Sequence, residues 1–281
     1  MKKNKLNKLL SVPAMAVLAL AVSSGVKAED CKPQHDFKTI TPGVLTVTSV
    51  ILPPFAYKSP KGEFMGIDAE VVKKFAQENC LKVNHVVTDS AAAIQYVVAK
   101  RADLSVGAWY RTSAREKVLG ITQPLYLEQT SIYSRDGATR FDQLKGRKVG
   151  TVQGYLWVPE LKSLYGNDLS LYPNAVALAQ DLSTGRIEAA VNTYAIGVEA
   201  QRQGGLAKDI QIKVADQDPR VKSSIYAAQT GYLFNKENPE LGAAFNATIA
   251  ELKDGGMAKI LTKYNLETSA ADTGAARYAD Q

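Results

Sequence analysis

The chain has 281 residues, a formal net charge of +6, 46% hydrophobic residues and two cysteines. Residues 1–28 carry five lysines and no acid, so the rest bears only +1, and the basic balance gives no ground for a nucleic-acid partner. With two cysteines and two histidines, His35 and His85, a zinc site of the usual Cys/His type cannot be assembled, and no metal or other cofactor is expected.

The first element in chain order is an address. Lys2, Lys3, Lys5 and Lys8 precede the apolar stretch Leu9 to Val22, and Val26-Lys27-Ala28 has the small-x-small pattern of a signal-peptidase site. Residues 1–28 therefore read as a signal peptide, with the mature chain starting at Glu29 and the protein exported to the periplasm. The apolar stretch is shorter than the roughly 20 residues a membrane span requires. Cys31 follows Glu29-Asp30 rather than an apolar-small motif, which argues against lipid anchoring. An oxidising compartment lets Cys31 and Cys80 form a disulfide, although sequence alone does not bring their Cα atoms within bridging distance.

The mature chain alternates short β-branched runs with amphipathic stretches, the pattern of parallel α/β layers. Leu45–Val50 reads as a strand; the loop Pro53-Pro54-Phe55 leads to Gly66-Ile67-Asp68, where Asp68 can cap a helix bearing Val71, Val72 and Phe75. Val83–Val87 is a strand, a helix with Ile94, Val97 and Val98 follows, and Asp103–Val106 is a strand. The cycle restarts at Gly146: Lys148–Val152 is a strand, Gly154 a turn, helices run toward Tyr165 and over Val176–Leu182, and Ile187–Val191 is a strand. Arg101-Ala102-Asp103 and Arg186-Ile187-Glu188 each stand between a helix and a strand at a constant offset of 85 residues, which suggests two similar lobes. Two extended stretches, Leu125–Tyr133 and Ser224–Phe234, supply a two-strand hinge. The reading gives lobe 1 as 29–130 plus 230–267, lobe 2 as 131–229, and residues 268–281, rich in Ala, Thr and Asp, as a flexible solvated tail.

Taken in order, Pro53-Pro54-Phe55, Gly66-Ile67-Asp68, Ala102-Asp103, Thr112 to Arg115, Pro124-Leu125-Tyr126, Leu144 to Gly150, Gln153-Gly154, Gly185 to Ala189 and Asp254-Gly255-Gly256 give the chain its resemblance to a known family. It resembles the family 3 solute-binding proteins of ABC importers, over about Gly43 to Leu266. The resemblance implies a two-lobed type II periplasmic-binding fold, each lobe a mainly parallel sheet flanked by helices. It also implies a monomer that carries an amino acid or related carboxylate to a membrane permease, without nucleic acid as a partner.

In that family an arginine placed as Arg115 clamps the ligand carboxylate, and a guanidinium's planar fork suits that task. The bland reading is a surface cation of the Arg115-Glu116-Lys117 run; Thr112, standing where the family pattern puts it, favours the clamp. Gly107, Ala108 and Tyr110 would offer backbone groups at the cleft, and the turn after Gly154 would aim the amides of Tyr155 and Leu156 at the ligand. The chain departs from the family pattern in Tyr155-Leu156-Trp157, where small hydroxyl residues are usual. It departs again at Thr193, where an acid usually holds the ligand ammonium. Tyr110, Tyr155 and Trp157, with Phe55 nearby, could instead hold a cation on their ring faces, while Trp109 is expected in the core. A dehydratase acting on cyclohexadienyl substrates is the rival on this fold; it needs an acid or base in the cleft, and the sequence reading finds no matching His or Glu there.

Overall fold

Five of the six residues of the strand Val44–Ser49 (β1) are buried, the burial expected of a strand in the middle of a parallel sheet. The structure, a computed structural model, describes residues 31–280; the leader read over 1–28 lies outside them. After β1 come a small hairpin, Tyr57–Lys58 (β2) and Phe64–Met65 (β3), then the helix Ile67–Glu78 (α1), the strand Lys82–Val87 (β4), the helix Ser90–Val98 (α2) and the strand Leu104–Val106 (β5). A short helix Ser113–Val118 (α3) and Gly120–Ile121 (β6) follow, then Leu127–Glu128 (β7) and Thr130–Ser134 (β8).

The second cycle comprises Val149–Val152 (β9), Val158–Tyr165 (α4), Leu169–Tyr172 (β10), Ala175–Thr184 (α5), Ala189–Thr193 (β11), Tyr194–Arg202 (α6) and Gln211–Val214 (β12). The chain then returns through Lys222–Ile225 (α7), Ala228–Gln229 (β13) and Leu233–Phe234 (β14) to the helices Pro239–Lys253 (α8) and Gly256–Lys263 (α9).

The strands sort into two five-stranded sheets of matching design, in the orders β4-β1-β5-β14-β6 and β10-β9-β11-β8-β12. In each, three parallel strands are followed by antiparallel ones: β14 lies against β5 and β6, and β8 against β11 and β12. Between the sheets, β7 and β13 pair antiparallel, with Ala228 opposite Glu128, so two adjacent strands make the crossing between lobes. The second stretch expected to be extended, Ser224–Phe234, begins instead inside α7 and becomes extended only at β13.

The 85-residue echo has a physical cause. Asp103 accepts the amide of Thr46 in β1 through its carboxylate at 2.8 Å, and Glu188 accepts the amide of Lys148, just before β9, at 3.0 Å. In each lobe the acid ahead of the third strand thus accepts a backbone amide of the central strand or of the residue just before it; at the buried Thr46 an unpaired amide would be costly.

The paired landmarks Pro53-Pro54-Phe55 and Gly66-Ile67-Asp68 form one device. The amides of Ile67 and Asp68, orphaned at the start of α1, donate to the carbonyls of Pro54 and Phe55 at 2.9 Å each. Gly66 stands before them at φ 113°, and a Cβ there would collide with the Phe55 carbonyl, so only glycine admits this approach. Asp68 therefore does not cap the helix as the sequence suggested. The backbone of the preceding loop does, and the Asp68 side chain turns inward.

Both cysteines, Cys31 and Cys80, are disulfide-bonded. Among the described residues no helix is long and apolar enough to cross a membrane.

Residues 268–280, within the segment 268–281 read from the sequence as a flexible solvated tail, are held in place. Gln229, only 1% exposed, donates its side-chain amide to the carbonyls of Thr273 and Ala275 at 2.7 Å each and accepts the Arg277 amide at 2.8 Å. The Ala279 amide donates to the Arg111 carbonyl at 2.8 Å, and the Tyr278 ring lies 5.3 Å from the Arg111 guanidinium. A buried glutamine side chain needs partners at both ends, and the backbone of this segment supplies them. A chain ending at Ala271 should therefore lose about 1–3 kcal/mol of stability, read as a lower denaturation midpoint, because Gln229 is left unsatisfied.

Candidate ligand-binding cleft

At the end of β5 the chain turns through Gly107 (φ 119°) and Ala108 (φ 53°), conformations that need support from elsewhere. Asp68 supplies it. One carboxylate oxygen accepts the amides of Gly107 and Ala108 at 2.8 and 3.3 Å, and the other accepts the hydroxyls of Tyr126 and Tyr232 at 3.0 and 3.1 Å. Burial raises its pKa to about 6 against the lowering effect of these four donors. The amides of Gly107 and Ala108, expected to face the ligand, are thus committed to Asp68.

Trp109 is 8% exposed and donates to Ser105 Oγ at 3.0 Å, so it belongs to the core, as expected. Tyr110 bridges to Thr230 beside the hinge. Thr112 then caps α3 by accepting the Arg115 amide at 3.3 Å, which fixes where the Arg115 side chain starts. Arg115 Nη1 donates to the Tyr110 carbonyl at 2.5 Å, and the guanidinium lies 5.0 Å over the Trp109 ring. Among the described residues, Nε and Nη2 of Arg115 have no protein acceptor.

From the second lobe, Gly154 at φ 86° turns the chain out of β9. Trp157 is 2% exposed and donates to Thr151 Oγ1 at 2.9 Å, and Tyr155 stacks on it with centroids 4.4 Å apart. Leu156 is left exposed. Thr193 ends β11 fully buried, its carbonyl accepting the Tyr133 hydroxyl.

A cleft of about 440 Å³ lies where these parts meet, bounded by Tyr110 from the first lobe, Leu156 and Trp157 from the second, Glu128 and Gln229 from the crossing strands, and Arg277 to Asp280. Of the residues expected at the site, Tyr110, Leu156 and Trp157 border this space. Arg115 lies behind Tyr110, and Tyr155 backs Trp157. Phe55 is buried in the first lobe, stacked on Tyr126 at 5.5 Å, so it does not join an aromatic cage. Larger hollows, of about 510 and 770 Å³, occur along residues 33–43 and hold none of the residues expected to bind ligand.

Glu128 was missed, and it overturns the expectation of a cleft without an acid. It is 5% exposed, and burial lifts its pKa to about 8 in spite of the Thr193 hydroxyl beside it. A single acid within the extended stretch Leu125–Tyr133 was the signal available in the sequence.

Residues 45–267 match the family described as bacterial extracellular solute-binding proteins, family 3. The chain belongs to that family. This family 3 protein is 27% identical to the lysine/arginine/ornithine-binding periplasmic protein of Escherichia coli K12 over 257 residues, covering 89% of this chain and 96% of the other. It is 26% identical to the histidine-binding periplasmic protein of the same organism, covering 88% and 94%. Among solved structures, an ancestral cationic amino acid solute binding protein superposes with a TM-score of 0.67 at 22% identity, covering 80% of this chain and 96% of that one. At that identity the likeness speaks for the shared two-lobed fold.

Proposed function

We propose that this family 3 protein is the periplasmic substrate-binding component of an ABC importer, exported by a cleaved leader. It captures an amino acid or related carboxylate and delivers it to a membrane permease, without catalysing a reaction. The observation that carries this reading is the composition of the cleft: each lobe gives one wall, and the paired strands β7 and β13 run between the lobes beside it. A ligand touching both walls stabilises the closed arrangement over the open one, and only that difference can drive closure. Arg115 takes the carboxylate. The relatives that carry lysine, arginine, ornithine or histidine make basic amino acids the first class to test. Mass spectrometry of whatever co-purifies with the gently isolated protein, followed by calorimetry and small-angle scattering with the compound found, is the test. Binding with compaction is expected; binding of no amino acid or carboxylate, or binding without compaction, would sink the reading.

Glu128 supports a second reading. A buried carboxyl with a pKa of about 8 suits a general acid, as a cyclohexadienyl dehydratase would require. Aromatic product from prephenate or arogenate would select it.

A further inference from the structure

Strand register brings an acid to the place where the neutral Thr193 stands. Thr193 of β11 pairs with Thr130 of β8, and the Tyr194 amide donates to the Gln129 carbonyl at 2.9 Å, so Glu128 arrives at the end of β11. Its carboxylate lies beside the Thr193 hydroxyl and borders the cleft together with Tyr110 and Trp157. The titratable groups around it are Asp68, Tyr110, Tyr126, Tyr133 and Tyr155, with Tyr194 and Glu267 on its far side. These neighbours are acids or phenols; the cleft that Glu128 borders also holds Lys222 and Arg277, and among the described residues neither of these nor any other lysine or arginine pairs with Glu128. Tyr110 is within electrostatic reach of both Glu128 and Arg115, and its backbone carbonyl accepts from the Arg115 guanidinium. An ionised acid this deep is costly to hold without a cation. The raised pKa of Glu128 expresses that cost, and a cation entering the cleft removes it.

We infer that Glu128 anchors the positively charged nitrogen of the ligand while Arg115 takes its carboxylate, so that the cleft selects compounds carrying both a carboxylate and a cation. This rests on the binding-protein reading and names its substrate class. Thr193, fully buried, keeps its hydroxyl beside Glu128, and Tyr110 and Trp157, which border the cleft, give the cation ring faces to rest on.

The test is calorimetry of the full chain with L-arginine, L-lysine and L-histidine, and with 4-methylpentanoate as a carboxylate that lacks a cation. Glu128→Gln should weaken the basic probes by roughly 30-fold or more and leave the uncharged-tail probe unchanged. Glu128→Gln/Thr193→Asp, with an acid restored on the neighbouring strand, should recover most of the loss. In buffers of different ionisation enthalpy at pH 7, the natural protein should release part of a proton on binding a basic probe, and Glu128→Gln none. Equal affinity of the natural and Glu128→Gln proteins for a basic probe would overturn the assignment. So would a loss shared with 4-methylpentanoate and accompanied by a lower melting temperature, which marks a structural role. Loss of prephenate turnover with basic-probe binding intact would overturn it in favour of catalysis. If no probe binds the natural protein, the binding-protein reading fails first and takes this inference with it.

Discussion

An Asp68→Ala protein should unfold about 3–5 kcal/mol more easily than the natural chain, whereas Asp68→Asn should lose no more than about 1 kcal/mol. Alanine strands two backbone amides and two tyrosine hydroxyls in the first lobe, all of which now donate to one fully buried carboxylate. Asparagine keeps the geometry. Its carbonyl can accept from Gly107 and Ala108, and its amino group can donate to phenol oxygens that turn to accept. The pH dependence separates charge from shape. Because the folded carboxyl has a pKa of about 6 against 3.8 as its ordinary value, the native state binds the proton more tightly than the unfolded chain. Its stabilising share is full below about pH 4 and is lost as the pH rises through about 6, a change on the order of 3 kcal/mol. Urea melts across that range should show a slope that is steeper in the natural protein than in Asp68→Asn by this amount, the raised Glu128 carboxyl contributing to both. A flat profile in the natural protein, or an alanine variant as stable as it, would refute the account.

Arg115→Ala should weaken binding of the preferred amino acid by roughly 100-fold or more, with little loss of stability, since two charge-assisted hydrogen bonds to a carboxylate are worth about 3–5 kcal/mol. The guanidinium is oriented before any ligand arrives, by the Tyr110 carbonyl on one edge and the Trp109 ring beneath it. Trp109 itself is secured by Ser105, so the core beneath survives the truncation. Arg115→Lys keeps the charge and loses the fork, and it should recover only a minor part of the affinity. Calorimetry with the preferred ligand decides the matter: unchanged affinity in Arg115→Ala would remove the clamp.

The strands and helices were legible because their signals are local. Val44–Ser49 and Val149–Val152 announce themselves by β-branched residues, and the echo of Asp103 in Glu188 marks equivalent strand starts. The roles that were misread depend on partners far away in sequence. Asp68 looks like a cap beside Ile67, and only the fold brings it Tyr126 and Tyr232, 58 and 164 residues away. Glu128 carries no local motif at all; its meaning comes from the pairing of β8 with β11. The terminal segment has the composition of a solvated tail, yet Gln229, 44 residues from Thr273, ties it down. Phe55 reads as a ring near the cleft aromatics, but the same loop that closes onto α1 turns its ring into the first lobe.

The ordered terminus has a practical consequence. Ala279 hangs by its amide from Arg111, and its neighbours Tyr278 and Asp280 stand at the rim of the cleft. A fluorophore attached at position 279 through an introduced thiol would sit beside the entering solute, and its emission would report occupancy as the two walls approach each other. The protein thus offers a ready attachment point for an optical sensor of whatever it carries.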